Sequence, residues 1–68
     1  MTTVDARGYS CPEPVIMTRK ALMSKDAEYA IMVDNTASRE NVTRYAEHQC
    51  YKVTVAEADG VYTLTLKK

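Results

Sequence analysis

Thr2-Thr3-Val4-Asp5 opens the chain with a brief extended pattern, and it stops at Ala6-Arg7-Gly8, where glycine accepts the dihedral angles of a turn. From Cys11 to about Met23 the pattern changes to helix formers without glycine, closing on Arg19-Lys20-Ala21-Leu22-Met23. A polar break at Lys25-Asp26-Ala27 follows. Tyr29 to Val33 is then a nearly continuous apolar run of strand length, which predicts a central strand. Asp34-Asn35-Thr36 offers three capping side chains, and Val42, Tyr45 and Ala46 share one helical face, so a second helix is predicted from about Ala37 to Gln49. Tyr51, Val53 and Val55 alternate with Lys52, Thr54 and Ala56 in the period of a half-buried strand. Asp59-Gly60 is a hairpin turn signal, and Val61 to Leu66 repeats the alternation.

The predicted order is β-α-β-α-β-β. A helical crossover makes the first two strands parallel and right-handed, so both helices cover one face of a mixed four-stranded sheet. The fold class expected is α/β, a two-layer sandwich. A chain of 68 residues buries too little surface to divide its core, so residues 1–68 read as a single domain with its site at the surface or an edge. Nine basic residues balance nine acidic ones, and no net positive field draws the chain to phosphate backbones. Direct nucleic-acid binding is not expected. No apolar run approaches the roughly 20 residues that span a bilayer, and the start MTTVDARG lacks the pattern of a leader. A cytoplasmic location follows, where the two cysteines, Cys11 and Cys50, are expected as free thiols.

Both prolines of the chain fall directly behind the first cysteine, in Tyr9-Ser10-Cys11-Pro12-Glu13-Pro14. Proline has no N–H and a fixed φ, so it suits a helix's first turn, where backbone donors lack intrahelical partners. Pro12 and Pro14 therefore mark a helix entrance and set Cys11 at or next to its cap. There the dipole and free N–H groups favour a thiolate, the nucleophilic form, while Glu13 opposes the shift. A small buried cysteine capping a helix is the alternative. His48, the only histidine, has no spacing relation to Cys11, and no paired ligand motif points to a metal or another cofactor. A thiol without a base can still receive and hand on a sulfur atom.

Val4-Asp5-Ala6-Arg7-Gly8-Tyr9-Ser10-Cys11-Pro12-Glu13-Pro14-Val15 resembles the D-x-R-G-x-x-C-P-x-P signature of the TusA/SirA/YedF sulfur-carrier family, and the chain's length and element order match that family. Val33-Asp34-Asn35, Arg39-Glu40-Asn41-Val42 and Tyr45-Ala46-Glu47 look most like the YedF-type proteins associated with selenium metabolism. The resemblance implies that Cys11 takes a sulfane sulfur as a persulfide from a cysteine desulfurase or rhodanese-like donor and passes it to a downstream acceptor. It implies that Asp5, Arg7 and Gly8 shape the loop presenting Cys11. The chain departs from the family pattern at Lys25-Asp26-Ala27 and at Cys50, where glycine is usual.

Cys50 reads either as a second, resolving thiol or as a residue packed under the hairpin, and the packed reading is preferred. In the first helix Val15 with Leu22 and Ile16 with Met23 are expected to face the sheet. That leaves Met17 and Ala21 on another side, and Met17, Arg19 and Lys20 then form a patch for partner docking or, alternatively, Met17 packs under Tyr9. The leading function is a sulfur relay on Cys11 serving tRNA thiolation, cofactor sulfuration or selenium handling. A regulatory or interaction module that uses the CPEP loop without covalent chemistry is the alternative.

Overall fold

The computed structural model describes residues 1–10 and 12–68. The elements run β1 (Thr2–Asp5), α1 (Glu13–Leu22), β2 (Glu28–Val33), α2 (Thr36–His48), β3 (Lys52–Ala58) and β4 (Val61–Lys67), in the predicted order. The sheet order is β1-β2-β4-β3, with β1 parallel to β2 and both hairpin strands antiparallel to their neighbours. The apolar run becomes a central strand, as expected, between β1 and β4.

Register explains the core. Val4, Ile31, Leu64 and Val55 form one row across the sheet, and Thr2, Tyr29, Leu66 and Val53 form the next. Tyr29, Ile31, Val33, Leu64 and Leu66 are fully buried, and Val42 and Ala46 of α2 close over them. Tyr29 keeps its hydroxyl satisfied by accepting the Asp26 N–H at 2.7 Å, and its ring meets Tyr51 edge to face, with centroids 5.9 Å apart. The crowded Tyr51 phenol is pushed above its ordinary pKa by burial.

Helix α1 lies over β1 and β2, and its inward stripe matches the predicted one only in part. Pro14 and Thr18 are buried, and Val15, Met17, Ala21 and Leu22 pack against the core, whereas Met23 is 75% exposed. Met17 is thus a packing residue, and Tyr9 is exposed. The cause is Thr18, whose hydroxyl donates to the Pro14 carbonyl at 2.8 Å, so a polar residue enters the core without an orphaned group. Val15 and Leu22 thus face the core as expected, while Met17 and Ala21 join them and Met23 does not.

Strand β3 also departs from expectation. Helix α2 reaches only part of it, so Val53 is half-buried and Val55 is 42% exposed at the sheet's edge. No helix among the described residues is long and apolar enough to cross a membrane.

Candidate functional site

The loop between β1 and α1 is built in three steps. Ala6 first continues the parallel ladder, its N–H donating to the Met32 carbonyl at 2.8 Å, and is fully buried. Asp5 and Arg7 then close on each other. The Asp5 carboxylate accepts the Arg7 backbone N–H at 3.1 Å and two guanidinium N–H groups at 2.8 Å each. A bidentate pair of this kind fixes geometry as well as charge. The clasp, with Arg7 donating from side chain and backbone, lowers the Asp5 pKa to about 2. Asp5 in turn raises Arg7 further, and Asp34 adds to that effect.

The chain next turns at Gly8, with φ +83°, and the Tyr9 N–H donates back to the Ala6 carbonyl at 3.4 Å. Positive φ at the third residue of a turn selects glycine. A Cβ there would meet nothing within 4 Å, so the demand is on the dihedral angle and not on space.

Pro12 caps α1, its carbonyl accepting the Ile16 N–H at 3.1 Å, and Glu13 and Pro14 fill the first turn. The expected helix entrance is therefore there, shifted so that Pro12 stands outside the helix and Glu13 begins it. Cys11 lies outside the described residues. Its neighbours in sequence, Ser10 and Pro12, join the turn to the cap, with the Glu13 N–H donating to the Ser10 carbonyl at 3.0 Å.

The other predicted positions are far from this loop. Arg19 and Lys20 are exposed in the last turn of α1. Helix α2 begins beside the loop and rises about 1.5 Å per residue over 13 residues, so Cys50 and His48 are set about 20 Å away at its far end. Cys50 is exposed, not packed under the hairpin, and holds φ +68°. It ends the helix in the manner of the glycine it replaces: its N–H donates to the Glu47 carbonyl and that of Tyr51 to the Ala46 carbonyl, both at 3.0 Å. Lys25, at the other usual glycine position, likewise has φ +57° after α1. A groove of about 560 Å³, lined by Arg19, Met23, Lys25, Tyr45 and Tyr51 among others, also opens at this far end.

The family model described as Sulfurtransferase TusA matches residues 2–68. The chain belongs to the TusA family. It is 34% identical over 71 residues to a Methanocaldococcus jannaschii protein named "Putative sulfur carrier protein", covering all of this chain and 95% of that one. It is also similar to the crystal structure of a SirA-like protein from Desulfitobacterium hafniense, with a TM-score of 0.87 and 40% identity over 97% of this chain and 95% of that one. The two-layer fold is thus that of a solved TusA/SirA-like protein.

Within this TusA-family chain the sequence pointed to the loop and missed what anchors it. In the sequence Asp34 and Asn35 read as helix caps and as part of the family resemblance, with no link to the loop. Asn35 does cap α2, its side-chain oxygen accepting the Ser38 N–H at 2.8 Å. Both residues also reach the loop: the Gly8 N–H donates to Asp34 Oδ2 at 2.9 Å, and Asn35 Nδ2 donates to the Tyr9 carbonyl at 3.4 Å. Twenty-six positions separate each pair, a distance no local motif encodes.

Proposed function

We propose that this chain is a sulfur carrier that holds a sulfane sulfur as a persulfide on Cys11. The thiolate of Cys11 attacks the outer sulfur of a protonated donor persulfide, R–S–SH; the new S–S bond gives Cys11–S–SH while the donor's S–S bond breaks and its thiolate leaves, with no net proton taken up. Attack on that outer sulfur by an acceptor thiolate reverses the bookkeeping and returns Cys11 to the thiolate. The donor is a cysteine desulfurase or a rhodanese-like protein in the cytoplasm. The acceptor serves tRNA thiolation, cofactor sulfuration or selenium metabolism.

The observation that supports this reading best is the family match over residues 2–68, joined to a loop whose Asp5–Arg7 clasp, Gly8 turn and Pro12 cap bracket Cys11 in sequence. A helix entrance directly after the cysteine favours the anionic form of both thiol and persulfide. No general base is needed, because the attacking group arrives already ionised.

Incubation with cysteine and a desulfurase is expected to add about 32 Da, one sulfur, to Cys11 by intact-mass spectrometry, removable by thiols and absent in Cys11→Ser. A competent donor that leaves the mass unchanged would favour instead an interaction module using the same loop.

A further inference from the structure

We propose that Asp34 and Asn35, at the junction of β2 and α2, are positioning residues for the sulfur-bearing loop; the inference rests on the carrier reading given above. Two sets of contacts hold the loop, and they do different work. The Asp5–Arg7 clasp joins residues two apart and so shapes the loop internally. The bonds from Asp34 to Gly8 and from Asn35 to Tyr9 cross the fold and fix where that shaped loop stands relative to α2.

The chemistry of the two side chains suits this division. Asp34 offers one carboxylate oxygen to the Gly8 N–H and the other to the Asn35 amide at 3.3 Å. Asn35 faces both ways, its oxygen capping α2 and its nitrogen reaching the Tyr9 carbonyl. The amide carries its donor and its acceptor on separate atoms of one planar group, which lets Asn35 span from the helix end to the Tyr9 carbonyl. Gly8 and Tyr9 stand three and two residues before Cys11, so a loop released from β2–α2 also frees the approach to the entrance of α1. A bond to a charged acceptor is roughly twice as strong as a neutral one, which makes Asp34 the principal anchor.

The test uses full-length protein carrying Cys50→Ser, so that Cys11 is the single thiol. Asp34→Asn and Asp34→Ala lose the same charge, but only Asn keeps an acceptor oxygen. Three readings are taken well below the melting midpoint: hydrogen exchange of the Gly8 amide, the pH profile of Cys11 alkylation by iodoacetamide, and thermal stability. Relative to Asp34→Asn, Asp34→Ala is expected to speed Gly8 exchange about tenfold and to raise the alkylation midpoint by roughly half a pH unit. Asn35→Ser, which keeps a cap oxygen but loses the amide donor, is expected to raise the midpoint in the same direction and serves if Asp34→Ala does not fold. Equal exchange and equal midpoints in the Asn and Ala variants, or an unshifted Asn35→Ser, would overturn the proposal. Alkylation needs no sulfur donor, so a parent protein that takes up no sulfur would sink the carrier reading and leave this result standing.

Discussion

Cys50 and Lys25 hold a backbone conformation that ordinarily belongs to glycine, with φ +68° and +57°. The left-handed region costs an L-residue about 1–2 kcal/mol, because Cβ crowds the following carbonyl. Neither side chain repays that cost by packing, since both are exposed. Cys50→Gly and Lys25→Gly are therefore each expected to stabilise the fold by about 1 kcal/mol, raising the thermal midpoint by a few degrees. Unchanged sulfur loading in Cys50→Gly would accompany that gain, because Cys50 stands at the far end from the loop. Asp5 gives a second prediction at this scale. Its pKa falls from 3.8 to about 2 in the folded chain, so its contribution is present above the unfolded value and is lost as pH falls toward 2. Urea midpoints measured from pH 5 to pH 2 should decline less steeply in Asp5→Asn than in the parent. The missing glycines were visible only against the family pattern, and the exposure of Cys50 was not visible at all, because composition does not say which way a cap residue points.

Helix α2 shows how far element-level reading goes. Its amphipathic face placed Val42 and Ala46 correctly in the core, yet the third buried residue of that stripe is Ser38. Its backbone N–H is satisfied by Asn35, while its hydroxyl, 1% exposed as a residue, has no hydrogen-bond partner among the described residues. A buried hydroxyl without a partner keeps its desolvation cost, and alanine is the better helix former. Ser38→Ala is expected to stabilise by about 1 kcal/mol in chemical denaturation, and a loss of that size would reveal a bridging water. The same lesson applies to Thr18 in α1. Small polar residues buried on a helix's inner face are invisible to a hydrophobic pattern, whether the hydroxyl bonds within the helix, as in Thr18, or finds no partner among the described residues, as in Ser38. Strands were easier, because a period of two survives even when, as in β3, the covering layer is incomplete.

Across the whole molecule the sequence conveyed the element order and the parallel pairing of the first two strands, whereas the long-range ties from Asp34 and Asn35 emerged only once the chain was folded. Arg19 and Lys20 remain exposed and close the outer side of α1, so the docking role suggested for them can be tested without disturbing the core. Replacing both with glutamate is expected to slow sulfur transfer from a desulfurase several-fold at low ionic strength, with the gap narrowing above about 0.5 M salt. Transfer that is unchanged at low salt would remove this patch from the interface.

The parallel course of the two helices has one more consequence. Both start at the rim that carries the loop, and register brings Asp5, Asp34, Glu57 and Asp59 to that same rim, with Glu13 opening α1. Arg19 and Lys20 end α1, Lys25 follows it, and Lys52, Lys67 and Lys68 gather at the opposite end. Arg7 offsets Asp5 at the first rim, and Asp26 and Glu28 stand among the cations at the other, so a formal charge of zero conceals a partial separation of charge along the molecule's length. In the field of a charged partner such a body feels little net pull but a definite torque, so it turns to present one end before contact is made.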